Sequence, residues 1–358
     1  MIAYISAKIF YGLCVLWGVL SLVFFLFNIL PGDPARMLLD KREDSKQLEL
    51  IKKKYGFDRS LSSQYFLYLN DISPISLHSL DNQSFTSLNS RKYNFINLFS
   101  LKNYSIVIKQ PYLRESYVRK GTKVTTIISS TFKNTFVLAA SAIVLALIIG
   151  VFLGTISALN KDTFFDRFIL FISVLGMSLP SFFASIIVAW LFGFILHEYT
   201  GLNMSGSLYV VDDYGRDSFL QLKNLILPAL TLAVRPISVI VQLSRNSLLE
   251  ILSLAYVRTA RAKGLSEFIV IFKHSLRNAL NPIVTAISGW FASLLAGAVF
   301  VEYIFAWNGL GKEIVEALNK MDLPVVMGSV LFIASFFVVI NIIVDLIYAL
   351  LDPRIRIN

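Results

Sequence analysis

Six long apolar segments divide this chain, and each is about the length that an α-helix needs to cross a lipid bilayer. They lie at Ile9–Leu30, Phe136–Leu159, Phe168–Leu196, Leu225–Leu243, Pro282–Tyr303 and Val325–Leu351. A helix of about 20 apolar residues spans the ~30 Å hydrocarbon core. Apolar residues make up 56% of the chain and charged residues only 16%, which also favours a membrane protein. The sequence therefore predicts an all-α membrane protein with six transmembrane helices.

The first apolar segment is predicted to be a retained transmembrane helix. It continues directly into Pro-Gly-Asp-Pro, and no small-residue cleavage site of a signal peptide follows it. The single cysteine, Cys14, lies within this segment, and the chain shows no Cys/His spacing typical of a metal site. Six spans would place both termini on the same side of the membrane.

The distribution of Lys and Arg predicts that both termini are cytoplasmic. With that orientation, the inner segments carry eleven of these residues and the short outer loops carry four, which fits the positive-inside rule. The inner ones are Lys8, Lys161, Arg167, Arg245, Arg258, Arg261, Lys263, Lys273, Arg277, Arg354 and Arg356. The first loop carries another 17, but long loops cross the membrane largely regardless of charge. The net charge of +10 thus reflects topology and an exported loop, and it disfavours nucleic-acid binding.

Four regions follow from this topology. Residues 1–30 form a short tail and the first helix, and residues 31–133 form a large outer loop. Residues 134–351 hold the other five helices, and residues 352–358 form a cytoplasmic tail. Within the outer loop, residues 71–109 are rich in Ser, Asn and Lys and show little apolar periodicity, which predicts a flexible or loosely packed excursion.

The segment Ser253–Pro282 is predicted to form two short helices in an inner loop. Ser253 can cap a helix that starts at Leu254, and Gly264 suits the left-handed residue that ends it. A second helix is predicted from Ser266 to Asn281, with Pro282 opening the fifth span. Small residues next to basic ones suit docking into a groove on another protein, but they also suit an amphipathic helix on anionic lipid. The residues alone leave both interpretations open.

Within this loop, Tyr256–Glu267 (YVRTARAKGLSE) resembles the cytoplasmic EAA loop of ATP-binding-cassette (ABC) importer permeases. The form is that of the dipeptide/oligopeptide/nickel permease family, in its six-span type with a large first periplasmic loop. Further motifs typical of that family occur in the same order along the chain. They are Pro31–Ala35 (PGDPA), Leu179–Ser181 (LPS), Leu227–Ala233 (LPALTLA), Ser244–Glu250 (SRNSLLE) and Tyr348–Arg356 (YALLDPRIR).

The resemblance implies a multi-pass subunit of the bacterial inner membrane with a loop that couples it to ATPases. The implied coupling residues are Ala255, Tyr256, Arg258, Thr259, Ala260, Arg261, Ala262, Lys263, Gly264, Leu265, Ser266 and Glu267. The implied partners are a second homologous permease, two cytoplasmic ABC ATPases, a periplasmic or lipid-anchored binding protein and membrane lipid. ATP and Mg²⁺ would be bound by the ATPases, and this chain would bind no cofactor. Short peptides are the implied substrates, with nickel chelates, opines and glutathione-like compounds as alternatives.

No catalytic site is predicted in this chain. Asn308–Lys312 resembles a phosphate-binding loop, but Ala306 stands where such a loop needs a glycine, so the segment is interpreted as a turn. His78, His197 and His274 fall in three different loops, which does not suit a catalytic triad.

Arg235, directly before Pro236, is a charged residue inside a predicted span. Such residues usually face protein or water and often mark a pathway, so Arg235 either lines a translocation path or has a structural partner. Pro180 is predicted to loosen the third span beside that path. Asp345 is interpreted as a helix-packing group.

A secondary transporter is the alternative function from another class, but it would need more ionisable residues in the spans. A third possible function is that of a membrane scaffold, which would bind lipid or nucleic acid through its basic loops.

Overall fold

The computed structural model describes residues 2–29, 45–81, 84–89, 92–211 and 218–351. Helices dominate this part of the chain. The α-helices are α1 (Ile2–Ile29), α2 (Ser45–Tyr55), α3 (Leu61–Ile72), α4 (Val124–Leu159), α5 (Phe164–Ser178), α6 (Ser181–Trp190), α7 (His197–Thr200), α8 (Lys223–Leu252), α9 (Ala255–Ala262), α10 (Glu267–Ile269), α11 (Leu276–Ala279), α12 (Asn281–Ile304), α13 (Leu310–Asn319) and α14 (Leu323–Leu351). Of the predicted motifs, PGDPA and the tail 352–358 lie outside the described residues.

Within the described residues, five helices are long and apolar enough to cross a membrane. These helices are α1, α4, α8, α12 and α14. The third predicted span instead forms two helices, α5 and α6, with a bend of 110° at the break between them. If this bent pair crosses the membrane as one span, the number of spans is six. The break falls at Leu179–Pro180 because proline has no N–H to donate and keeps the preceding residue extended. The prediction that Pro180 loosens the third span is thus confirmed, and the break is a sharp bend.

The chain divides into two compact units, which are described separately. The first comprises Met1–Phe10, Thr131–Glu313 and Ser335–Asn358. Its core lies among α4, α8 and α12, where Ala142 and Ala146 pack with Ile240 and Ala298. Glycines in α4 allow a close approach to α8, since a Cβ at Gly154 would lie 2.7 Å from the Val241 carbonyl oxygen. A short antiparallel hairpin, β4 (Tyr209–Val211) with β5 (Ser218–Leu220), precedes α8.

The second unit comprises Tyr11–Ser130 and Ile314–Ala334. It holds a three-stranded antiparallel sheet of β1 (Ile75–Ser79), β2 (Phe95–Ser100) and β3 (Tyr104–Lys109), with β3 in the centre. The prediction of a loosely packed excursion over residues 71–109 is therefore wrong. The usual pattern of apolar side chains facing inward is largely reversed in this sheet, because polar Ser76, His78, Ser79, Ser105 and Lys109 are buried and Val107 is the one apolar strand residue buried with them.

Candidate coupling loop and translocation path

The coupling loop predicted from the sequence begins with the short helix α9. Leu254, with extended backbone, precedes its first residue. The predicted cap is wrong, because Leu254 holds the N-cap position and no side chain accepts a bond from the first N–H groups of α9, while the Ser253 hydroxyl donates back to the Glu250 carbonyl at 2.7 Å. Gly264 follows the helix with φ of +78°, and its N–H donates to the Arg261 carbonyl at 2.9 Å. The predicted left-handed glycine is confirmed, and it sets the angle at which the chain leaves α9.

The inner face of α9 packs on the segment that follows it. Val257 and Ala260 are buried against Val270, with Ile251 and Leu252 of α8 beside them. Ala260 was predicted to lie on the presented surface with the other small residues, and this is wrong. The reason is that α9 is too short to stand alone and uses its apolar face to hold itself in place.

The second half of the loop is interrupted, where the sequence predicted one helix from Ser266 to Asn281. A single α-helical turn, α10, is followed by a π-helical stretch, Val270–Ser275, and then by α11. The Ser275 hydroxyl donates to the Val270 carbonyl at 2.9 Å inside that stretch. π-Helical insertions of this kind are frequently found at functional sites.

Two polar contacts tie the halves of the loop together. Arg261 forms a two-point ion pair with Glu267 across the Gly264 turn, at 2.8 Å and 3.2 Å. The Asn278 side chain donates to the Tyr256 hydroxyl at 3.0 Å. Of the predicted coupling residues, Arg261, Glu267 and Tyr256 thus fix the internal geometry of the loop. The rest, apart from Ala260, are exposed, namely Ala255, Arg258, Thr259, Ala262, Lys263, Gly264, Leu265 and Ser266.

The exposed surface of the loop also carries an aromatic pair that the sequence reasoning missed. Phe268 is 70% exposed, and its ring lies 4.7 Å from that of Phe272. A pair of exposed rings beside basic and small residues is typical of a protein contact. The available signal was the spacing of four residues between Phe268 and Phe272, which places both on one face of a helix, although the sequence alone does not tell that this face is exposed.

A line of polar side chains follows one face of α8. Arg235 and Asn246 are exposed there, and Gln242 and Glu250 lie on the same face at helical spacing. Among the described residues, Arg235 has no hydrogen-bond or ion-pair partner. Polar groups on a membrane-spanning helix face either water or another protein. This line of four residues, the α8 polar stripe, is therefore a candidate path surface.

The structure places the break at Pro180 on the element next to this stripe. Gly176, one turn before the break, packs on α8 so closely that a Cβ there would lie 2.7 Å from the Ser238 hydroxyl. Gln242 of the stripe lies 3.5 Å from the Met177 sulfur. The two predicted path residues, Arg235 and Pro180, thus belong to neighbouring elements that touch at Gly176 and Met177.

Comparisons with known proteins show to which family the chain belongs. Residues 150–357 match the family described as binding-protein-dependent transport system inner membrane component, and residues 1–83 match its N-terminal counterpart. The chain belongs to this family. It is 31% identical to a dipeptide transport system permease protein of Alkalihalophilus pseudofirmus, over 99% of this chain and all of that protein. It is 31% identical to a di/tripeptide transport system permease protein of Pseudomonas aeruginosa, over 99% of both chains. It is 32% identical to a glutathione transport system permease protein of Escherichia coli, again over 99% of both chains.

The predicted resemblance is thereby confirmed, and this chain is the permease subunit of an ABC importer. One feature of the permease that sequence reasoning missed is a buried ion pair between α5 and α8. Asp166 is 2% exposed and accepts two bonds from Arg245. It also accepts a bond from the Ser157 hydroxyl at 2.5 Å and one from the Asp162 N–H at 2.9 Å. Four donors therefore hold one carboxylate where α4, α5 and α8 meet.

The turn predicted at Asn308–Lys312 is confined to Asn308 and Gly309, because Leu310–Lys312 already form the first turn of α13, and the amides of this first turn are occupied. The buried Glu302 carboxylate accepts the N–H groups of Gly311 and Lys312 at 2.7 Å and 3.2 Å. These amides open α13, so an internal carboxylate fills the position that a phosphate would take in a phosphate-binding loop. These two amides are consequently not free to bind a phosphate.

The remaining candidates have structural partners. Asp345 of α14 forms a 2.7 Å ion pair with Lys8 of α1, which supports the helix-packing interpretation. The buried His78 ring bonds to the Ser76 hydroxyl and the Thr86 carbonyl, and its pKa is lowered by burial. His197 contacts the Leu202 carbonyl at 2.6 Å. The described residues hold no group of three or more His, Cys, Asp or Glu side chains that could bind a metal ion.

Proposed function

We propose that this permease imports short peptides across the bacterial inner membrane, driven by ATP hydrolysis in partner subunits. The support for peptides is that the three relatives cited above are named for dipeptide, di/tripeptide and glutathione transport, and glutathione is itself a small peptide. Nickel chelates and other small solutes are the alternative cargo. Both termini are cytoplasmic in this proposal, so residues 31–133 lie in the periplasm and residues 253–282 face the cytoplasm.

The observation that carries the proposal is the geometry of the coupling loop. Its inner face is packed on α8 through Val257 and Ala260, while its outer face is free for a partner. A force on the outer face would therefore pass directly to α8, the helix that carries the polar stripe. Two ABC ATPases are the partners in this account, with Phe268 and Phe272 entering a groove on each ATPase surface.

The translocation path would lie between the α8 polar stripe and a second, homologous permease. Arg235 attracts the peptide carboxylate, and Gln242, Asn246 and Glu250 continue the hydrated surface along the helix. The bent α5–α6 pair at Pro180 adjusts its packing on α8 as the path opens to one side and then the other. Such a change requires that the ATPases bind the two states with different free energies.

The other components complete the import cycle. A periplasmic or lipid-anchored binding protein delivers the substrate, and ATP and Mg²⁺ are bound by the ATPases. The permease itself supplies no catalytic group in this account. The phosphate-loop lookalike binds no phosphate in it, because the Gly311 and Lys312 amides are held by Glu302.

The experiment is affinity purification of the tagged permease from its native cells, followed by reconstitution into vesicles. We expect two ATPase subunits and a second permease to copurify, and ATP to drive uptake of labelled di- and tripeptides. Unlabelled peptides should compete for uptake, and a nickel chelate should not. Uptake without copurified ATPases, driven by an ion gradient, would contradict the proposal and favour a secondary transporter.

A further inference from the structure

The three-stranded sheet of the second unit turns its apolar side chains outward. The outer sheet face consists of Ile75, Leu77, Ile96, Phe99, Tyr104, Ile106 and Ile108. Ile75 and Ile96 flank Ile108 as cross-strand partners, and directly paired residues share one face of a sheet. Ile96 is 71% exposed and Ile75 is 62% exposed. No member of this face is charged, so it is a continuous apolar surface rather than scattered single residues.

The opposite face of the same sheet is mainly polar, with Ser76, His78, Ser105 and Lys109 buried around the apolar Val107. Lys109, which is 4% exposed, donates to the Asp71 carbonyl oxygen, and its pKa is lowered to about 8 by burial. The Asp71 carboxylate accepts bonds from the Tyr93 hydroxyl at 2.9 Å and from Arg114 at 2.8 Å. A sheet of a water-soluble domain buries its apolar face and solvates its polar one. The reversed arrangement indicates that the outer sheet face meets an apolar environment.

The position of the sheet relative to α1 identifies that environment. Tyr65 of α3 bonds to Ser21 of α1 at 2.6 Å and stacks on Phe25 at 5.2 Å, within the apolar span Ser6–Asn28. The next residue, Phe66, is 67% exposed. One turn further, Asn70 exchanges two hydrogen bonds with the backbone of Leu77, at 2.9 Å and 3.0 Å. Helix α3 therefore contacts the membrane-spanning helix through Tyr65 and the sheet through Asn70, with the exposed Phe66 between these two contacts.

We propose that the outer sheet face is seated in the lipid–water interface beside α1 and contacts phospholipid acyl chains. Its isoleucines would enter the boundary between headgroups and acyl chains, to a depth of roughly 5–10 Å. Tyr104 suits this zone because its ring is apolar and its hydroxyl is polar. Lys102, in the turn between β2 and β3, reaches lipid phosphates with its ammonium group. The second unit is thereby anchored to the bilayer at two places, by α1 and by this sheet.

Site-directed fluorescence in the assembled importer, reconstituted into phosphatidylcholine–phosphatidylglycerol nanodiscs, tests the inference. In a Cys14→Ser background, single cysteines from Ile96→Cys and Ile75→Cys carry the fluorophore, and Lys53→Cys in the charged helix α2 is the control. Nitroxide-labelled lipid should quench the fluorophores at the two sheet positions at least about threefold more strongly than the fluorophore at the control position, because the sheet labels lie within the interface. Aqueous iodide should show the reverse order.

Two results would overturn the inference. If iodide quenches the sheet positions as strongly as the control, the face is in water. If neither quencher reaches them, a protein covers the face, either the second permease or the binding protein. Lipid quenching in an assembly that transports no peptide would support the inference while the proposed function fails, so the two proposals are tested separately.

Discussion

Arg245 of α8 holds the Asp166 carboxylate of α5 at two points, with its Nε and Nη2 each 2.7 Å from one carboxylate oxygen. The aspartate is almost completely buried, so this pair differs from the exposed Arg261–Glu267 pair of the coupling loop. An exposed pair contributes little to stability, whereas removal of one partner from a buried pair leaves an uncompensated charge. The pair therefore locks the junction of α4, α5 and α8.

Arg245→Met should lower the free energy of unfolding by about 3–5 kcal/mol, because Asp166 would remain buried without its counter-ion. Thermal unfolding of the purified permease in detergent measures the effect. The double variant Asp166→Asn/Arg245→Gln should recover much of the loss, and Arg258→Met, at an exposed position, is the control. An unchanged unfolding temperature for Arg245→Met would show that the pair does not hold the junction.

Lys109 gives a prediction about pH. Burial lowers its pKa to about 8, so the unfolded chain binds this proton more tightly than the folded chain does. The cost of burying the charged lysine is therefore greatest below pH 8 and is relieved as the pH rises towards the ordinary lysine pKa. The sign of the effect is an increase in stability with pH in this window.

The measurement compares unfolding temperatures at about pH 7.5 and about pH 9.5, below the range in which the buried tyrosines ionise. The parental protein should gain stability relative to Lys109→Met between these two values. Lys102→Met, at an exposed position in the turn between β2 and β3, should follow the parent. Parallel curves for the parent and Lys109→Met would mean that Lys109 does not titrate in this window.

The role of Arg235 is tested with peptide substrates that differ only at their C-terminus. If its guanidinium attracts a peptide carboxylate, Arg235→Gln should reduce uptake of free peptides more than uptake of the same peptides with an amidated C-terminus. Arg235→Lys should retain part of the preference, because the charge is kept and the two-point geometry is lost. Equal loss of uptake for both peptide forms would instead assign Arg235 a structural role.

The orientation is tested by cysteine labelling in a Cys14→Ser background. A cysteine at Lys53 should react with a membrane-impermeant thiol reagent in intact cells. Cysteines at Lys161 and Ser266 should react only after permeabilisation, because the positive-inside rule places them in the cytoplasm. Labelling of Ser266 in intact cells would reverse the topology and remove the coupling loop from the ATPases.

The spanning helices were predictable because the length of an apolar run depends on bilayer thickness and not on tertiary contacts. Arg235 was predictable for a related reason, since a charge stands out within such a run. The sheet was missed although Ile75–Ser79 alternates apolar and polar residues, because its strands have only five or six residues and lie in a stretch rich in Ser and Asn. Alternation also does not tell which face is buried, and here Ser76 and Lys109 occupy the buried face.

Contacts between residues that are far apart in the sequence could not be predicted either. Asp166 and Arg245 are separated by 79 positions, and no local pattern connects them. The burial of Ala260 could not be read from α9 alone, because a small residue next to arginines looks the same whether it packs inward or faces a partner. Gly264 was predictable, since a glycine at the end of a helix has a specific backbone role.

Gly264 provides the test of coupling. Its φ of +78° is strained for a β-branched residue, and no atom outside its chain neighbours lies within 4 Å of the position that a Cβ would occupy. Gly264→Val therefore acts through the backbone, at a cost on the order of 1 kcal/mol or more, and not through a clash. Gly264→Asn is the matched control, because asparagine tolerates this conformation. Ala262→Glu, on the exposed surface, changes the presented face without changing the turn.

The most direct measurement is ATPase copurification together with ATP-driven peptide uptake in reconstituted vesicles, for the parent and these three variants. We expect Gly264→Val and Ala262→Glu to insert and pair with the second permease normally, but to lose the ATPases or let them hydrolyse ATP without transport. Gly264→Asn should retain both binding and uptake. If Gly264→Val and Ala262→Glu keep the ATPases bound and transport peptides at the parental rate, residues 253–282 are not the coupling element and the account is contradicted.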